Sequence, residues 1–128
     1  MSTARLRRSF AVAGSGLSRA WATQPNLRLE AFIGVCALAL AAWLRAPAAP
    51  IALACILVLS LELMNSAVET IIDLVSPDPH PLAGRAKDLA AAAVLISAVG
   101  AVIVGLIVLG PPLLGRLGLV IPGPGGQS

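Results

Sequence analysis

Three long apolar runs dominate the chain and limit what it can fold into. They lie at about residues 29–44, 51–75 and 87–110, separated by proline-containing connections. Since a helix needs about 20 mainly apolar residues to cross the hydrocarbon core of a bilayer, each run is a candidate membrane span. Only 12% of the residues are charged and 58% are hydrophobic, which excludes a water-soluble domain. The pattern predicts an all-α membrane protein with three transmembrane helices.

The N-terminal 22 residues form a basic segment ahead of these runs. Apolar residues, including Phe10 and Trp21, recur there at helical spacing, and no acid is present. A helix of this kind lies in the headgroup region with its apolar face inward. We therefore expect an amphipathic surface helix at 1–22, one membrane domain over 1–112, and a tail rich in glycine and proline at 113–128.

The distribution of lysine and arginine predicts the orientation in the membrane. Residues 1–28 have five arginines and the 76–88 segment has Arg85 and Lys87, whereas the first connection has only Arg45 and the tail only Arg116. Because lysine and arginine are enriched on the cytoplasmic side, the N-terminus and the 76–86 loop should be cytoplasmic. The net charge of +3 suits a membrane surface, and no nucleic-acid partner is expected.

Three carboxylates and one carboxamide interrupt the second apolar run. They are Glu62, Asn65, Glu69 and Asp73. Spacings of 3, 4 and 4 place them on one face of a helix, and we call them the polar stripe. A charge at the bilayer centre costs roughly 2.5–3.5 kcal/mol on insertion scales, so three carboxylates need protons, cations or water to meet them. Hydrogen bonds between helices are the structural alternative, but asparagine or serine would provide those at lower cost.

The pair Lys87-Asp88 stands at the cytoplasmic mouth of the third run. Alone, it is an ordinary helix start, because an acid there is favoured by the helix dipole. Beside the polar stripe it suggests phosphoryl transfer, which needs acids to hold Mg²⁺, a lysine for phosphates and a carboxylate as base. The sequence contains no Walker A loop and no kinase glycine-rich loop. His80, the only histidine, is either a surface residue or a nucleotide contact.

Two segments resemble one known family. Residues 62–73, ELMNSAVETIID, resemble the E-x-x-N-S/T-A-x-E-x-x-x-D signature of prokaryotic diacylglycerol kinases, and residues 80–88, HPLAGRAKD, resemble the segment that follows it there. The resemblance implies a homotrimer in the bacterial cytoplasmic membrane. It also implies ATP-dependent phosphorylation of a lipid alcohol, either diacylglycerol or undecaprenol. The small size of the chain also favours an oligomer, without reference to the family, since three helices enclose little protected volume.

The resemblance also implies roles for individual residues. Glu62 is expected to be the general base, Asn65 to orient the substrate or the γ-phosphate, and Glu69 to help bind Mg²⁺. The residues expected to line the nucleotide side are Arg5, Asp78, His80, Lys87 and Asp88. Asp73 completes the polar stripe without an assigned role.

One position departs from the family pattern. Where the family has a metal-binding glutamate, three residues after Trp21, this chain has Gln24. Glutamine offers a carbonyl oxygen but no charge, so the affinity for metal should fall. Glu30 is the nearest acid, but it lies about 240° around a helix from Gln24 and cannot replace it directly.

Two questions stay open at the level of sequence. Asn26-Leu27-Arg28 and Ser76-Pro77 resemble undecaprenol kinases and favour that acceptor slightly, whereas Glu30 and the 84–88 segment resemble diacylglycerol kinases. The alternatives to an active kinase are a catalytically impaired relative, indicated by Gln24, and a proton- or ion-translocating subunit. The last has no use for the Lys87-Asp88 pair.

Overall fold

A computed structural model describes residues 2–119 and shows four α-helices in that range. They are α1, Thr3–Thr23; α2, Pro25–Leu44; α3, Ala48–Val75; and α4, Pro81–Arg116. These described residues contain no β-strand. Helices α2, α3 and α4 are each long and apolar enough to cross a membrane. The prediction of an all-α protein with three membrane spans is therefore confirmed.

The connections between the helices are shorter than the sequence suggested. A single residue, Gln24, separates α1 from α2, and its backbone N–H donates to the Ala20 carbonyl at 2.8 Å. Pro25 begins α2, where its missing N–H costs nothing. Arg45 ends α2 in the left-handed conformation with φ 56°, which turns the chain toward α3.

The predicted loop at 76–86 is corrected to 76–80. Pro81 occupies the first turn of α4, a position that tolerates proline, and His80 caps the helix by accepting the Leu82 N–H on Nδ1 at 3.2 Å. Helix α3 begins at Ala48 and not at residue 51, and Pro50 lies in its first turn.

The predicted end of the third span at residue 110 is also corrected. Helix α4 continues through Pro111 and Pro112 to Arg116, so 113–116 belong to the helix and not to the tail. The φ angle of proline is compatible with a helix, and contacts with α2 hold this end in place. The Arg116 guanidinium donates to the Trp43 carbonyl at 3.2 Å and lies 4.7 Å from the centroid of the Trp43 ring. The tail from residue 120 lies outside the described residues.

The three spans pack around a small core far from the 76–80 connection. Its buried members are Ala41, Leu44, Ile51 and Leu109. Helices α3 and α4 make the most extensive contact, as an antiparallel hairpin, and α2 packs mainly on α3. At Gly34, an added Cβ would lie 3.1 Å from Cys55 Sγ, so glycine allows α2 and α3 to approach closely.

Helix α1 has no buried residue and packs only lightly on α2. It is helical over the predicted range, but its placement in the headgroup region stays a prediction. Many large apolar side chains of α2, α3 and α4 are exposed in the single chain. In a membrane protein such side chains face lipid or other protein copies.

Candidate active site

The polar stripe runs along α3 toward the α3–α4 connection. From Glu62 to Asp73 the helix rises by about 16 Å. Glu62 is the most deeply placed member and is 5% exposed, whereas Asp73 lies near the end of the helix and is open to solvent. The stripe therefore joins a buried carboxylate to the end of the bundle that carries Lys87.

Glu62 has an acidic neighbour on another helix. Glu30 of α2 lies close enough for the two carboxylates to interact electrostatically. The Glu30 Oε2 atom is buried and has no hydrogen-bond partner among residues 2–119. A buried and a part-buried carboxylate from adjacent helices need a proton, a cation or an external donor between them. The position of Glu30 beside Glu62 was not predicted from the sequence.

Asn65 and Glu69 form a unit one turn further along the stripe. Asn65 Nδ2 donates to Glu69 Oε1 at 3.3 Å, which orients the carboxylate. Asn65 Oδ1 is buried and lacks a partner within the described part of the chain. Ser66 and Thr70 donate their hydroxyl protons to the Glu62 and Ser66 backbone carbonyls, at 3.1 and 2.8 Å, so their protons are already used.

The open end of the stripe carries an ion pair across the helical hairpin. Lys87 Nζ of α4 donates to Asp73 Oδ1 of α3. The two residues are separated by 14 positions in the sequence, and the turn at 76–80 brings them together. The sequence places Lys87 beside the stripe but does not predict its pairing with Asp73.

The other residues expected to bind nucleotide are less closely joined to the stripe. The Asp78 backbone carbonyl accepts from Ser76 Oγ at 3.1 Å in the α3–α4 connection, where His80 Nδ1 serves as the α4 cap. Asp88 is exposed on α4. Arg5 lines a shallow groove near the start of α1 together with Arg8. Within residues 2–119, none of these side chains bonds to a stripe residue.

The residues expected to bind metal provide oxygen atoms of the right type but no complete site. Among the described residues, no three histidine, cysteine or acidic side chains converge on one point. Gln24 lines a groove between α1 and α3 together with Ser66 and Thr70, which flank Glu69 along α3. Mg²⁺ prefers carboxylate and carbonyl oxygens and keeps several water or phosphate ligands. Glu69, Asn65 Oδ1 and the Gln24 carbonyl fit that preference as a partial ligand set.

An apolar groove lies between α1, α2 and α3 beside the buried end of the stripe. Its volume is about 480 Å³. The lining residues are Gly14, Leu17, Ser18, Trp21, Leu27, Ala31, Leu59 and Leu63. Leu59 and Leu63 lie three residues before and one residue after Glu62 on α3, and Glu62 itself does not line the groove.

Comparisons with known proteins identify one family. The family model described as prokaryotic diacylglycerol kinase matches residues 11–109. A diacylglycerol kinase of Synechocystis sp. is 48% identical over 110 residues, which cover 83% of this chain and 63% of that protein. The chain thus spans a little under two thirds of this relative.

Two further relatives represent both activities of the resemblance. The diacylglycerol kinase of Escherichia coli K12 is 35% identical over 82% of this chain and 88% of its own length. The undecaprenol kinase of Bacillus subtilis is 50% identical, but over 42% of this chain and 44% of its own. The range matched by the family model, residues 11–109, includes all four residues of the polar stripe. The chain belongs to the prokaryotic diacylglycerol kinase family, a family of membrane-bound lipid kinases.

Proposed function

We propose that this protein transfers the γ-phosphoryl group of ATP to the hydroxyl group of a membrane lipid. The observation that carries the proposal is the buried Glu62 carboxylate on the same helix face as Asn65 and Glu69. The apolar groove that Leu59 and Leu63 line lies within one helical turn of Glu62 along α3, and a lipid chain in it would bring its hydroxyl into this part of the helix. Phosphate groups would approach from the other end of the stripe, beside Lys87.

The chemistry assigned to Glu62 is general base catalysis. The lipid hydroxyl oxygen attacks the γ-phosphorus, its proton passes to the Glu62 carboxylate, and the bond to the β–γ bridging oxygen breaks to release ADP. Glu30 provides a second acidic side chain next to Glu62 on the neighbouring helix. Burial of Glu62 keeps water away from the reacting phosphate, which suppresses hydrolysis of ATP.

The chemistry assigned to the open half of the stripe is binding of charged phosphates. Glu69, oriented by Asn65, would hold Mg²⁺ together with the Gln24 carbonyl oxygen. When bound, Mg²⁺ offsets the negative charge of the ATP phosphates. Lys87 offers ammonium donors at the same end. Arg5, Asp78, His80 and Asp88 are proposed to complete the nucleotide side, as the family resemblance implies.

We propose the cytoplasmic membrane as the location, with the N-terminus and the 76–80 connection on the cytoplasmic side. The arginines of α1 and the open end of the stripe support this orientation, because Arg85 and Lys87 lie there too. ATP reaches a membrane enzyme from that side.

The acceptor lipid is tested by a direct phosphorylation assay. Purified protein is given radiolabelled ATP, Mg²⁺ and either diacylglycerol or undecaprenol. Diacylglycerol is the first candidate, because the diacylglycerol kinases match almost twice as much of the chain as the undecaprenol kinase does. Label is expected in one lipid at a much higher rate. Absence of label in both lipids at every Mg²⁺ concentration would instead favour an impaired relative in which Gln24 has weakened the metal site.

We also propose that the protein works as a homo-oligomer, a trimer in line with the family resemblance. Support comes from the buried oxygens of Glu30 and Asn65, which lack partners among residues 2–119, and from the incomplete metal ligand set. Cross-linking and native mass spectrometry in detergent are expected to give three copies per active particle. A fully active particle with the mass of one chain would contradict a site shared between copies.

A further inference from the structure

Asp73 has no role in the reaction described so far, yet it forms the one ion pair found within residues 2–119. Its partner is Lys87, across the α3–α4 hairpin. The Asp73 side chain is 68% exposed and that of Lys87 is 37% exposed. The pair therefore lies at the open end of the stripe, in a position that soluble phosphates can reach.

The pair fixes where the Lys87 ammonium group is held. An ammonium group has three N–H donors, and Asp73 Oδ1 takes one of them. Lys87 makes no other hydrogen bond within the described residues, so two donors face outward for other acceptors. Asp73 is one helical turn, about 6 Å along α3, from Glu69. The ammonium group is thereby held just outside the proposed metal ligand.

A purely structural role does not account well for this arrangement. Exposed ion pairs contribute little to stability, because water screens the charges and two long side chains lose freedom. Helices α3 and α4 already pack together along their length, and a short connection joins them. The hairpin does not depend on this pair, whereas the position of a flexible lysine side chain does.

We propose that Asp73 is a positioning residue that holds Lys87 at the phosphate entrance of the site. It acts before nucleotide arrives, by keeping the ammonium group extended toward α3 and not free in solvent. Its contribution should therefore be found in the binding of ATP and not in the chemical step. This inference rests on the proposed use of Lys87 as a phosphate ligand.

The experiment compares Asp73→Asn, Asp73→Ser and Asp73→Glu in the full-length protein, with KM for Mg·ATP and kcat measured separately. Asp73→Asn and Asp73→Ser should raise KM about three- to fivefold, the size expected from losing one exposed ion pair, with kcat within about twofold of wild type. Asp73→Glu should restore most of the affinity. Direct binding of a fluorescent ATP analogue should follow the same order.

A second background shows whether Asp73 acts through Lys87. In Lys87→Met protein, adding Asp73→Asn should cause no further loss of binding of the ATP analogue. The matched control is Arg85→Met, which removes a neighbouring exposed cation of α4 and should leave KM unchanged. Unchanged KM in both Asp73→Asn and Asp73→Ser would overturn the proposal, as would an equal loss in the Lys87→Met background. If wild-type protein itself bound no ATP analogue, the proposed kinase function would fail instead.

Discussion

Replacement of Glu62 by glutamine is expected to lower kcat by a factor of about 100 to 10,000, the range that a general base contributes. Glutamine keeps the size and hydrogen-bonding capacity of the side chain but cannot take the proton from the lipid hydroxyl. The measurement is lipid phosphorylation at saturating ATP and lipid. Binding of the ATP analogue should stay near the wild-type value, because Glu62 lies about 16 Å along the helix from Asp73.

The same variant should fold at least as well as the wild type. Glu62 is buried, so removing its charge relieves a desolvation cost and separates the effect on catalysis from any effect on stability. Ser97→Ala is the matched control. Within residues 2–119, Ser97 is the other buried polar residue; it is 8% exposed, and its Oγ donates to the Val94 carbonyl within α4. A Glu62→Gln enzyme that keeps the wild-type rate would remove Glu62 as the base.

The sequence was sufficient for features that lie within one helix. The three spans follow from the length and composition of the apolar runs, which is why their existence was predicted correctly. The contact between Asn65 and Glu69 follows from their spacing of four residues, since such side chains are neighbours on any α-helix. No tertiary information is needed for either result.

Contacts between helices depend on register, which the sequence does not state. The pairing of Asp73 with Lys87 requires the exact length of the 76–80 connection. That length was overestimated because the third span was taken to begin at residue 87, whereas α4 begins at Pro81. The approach of Glu30 to Glu62 depends on how α2 slides along α3, which the Gly34–Cys55 contact fixes. That Gly34 faces Cys55, and so allows a close approach of α2 and α3, becomes visible only in the packed structure.

The ends of the helices show the same dependence on context. Pro81 and Pro50 begin helices, whereas Pro111 and Pro112 lie inside one. Proline lacks a backbone N–H. Its effect on a helix depends on whether that N–H would have donated to a carbonyl of the preceding turn. At α4 the Arg116–Trp43 contact holds the final turns against α2. A local sequence pattern does not predict a contact between residues 73 positions apart.

Replacement of Glu69 by glutamine is expected to reduce kcat/KM for ATP by about 100-fold, because a lost metal ligand removes a few kcal/mol of stabilisation of the phosphate charge. The Mg²⁺ concentration for half-maximal rate should rise as well. Glutamine still accepts the hydrogen bond from Asn65 Nδ2 on its carbonyl oxygen, so the side chain keeps its place and only the charge is lost.

The counterpart variant is Gln24→Glu, which adds a carboxylate beside the α1–α3 groove that Ser66 and Thr70 also line. If Glu69 and residue 24 share one ion, Gln24→Glu alone should lower the Mg²⁺ requirement. In the Glu69→Gln background it should recover part of the lost rate, because the summed charge around the ion returns to the wild-type value. Recovery needs both side chains to reach the same ion, whereas a general gain in negative surface charge would act equally in both backgrounds. An unchanged Mg²⁺ requirement in both backgrounds would place the metal elsewhere, with Glu30 as the next acid to replace.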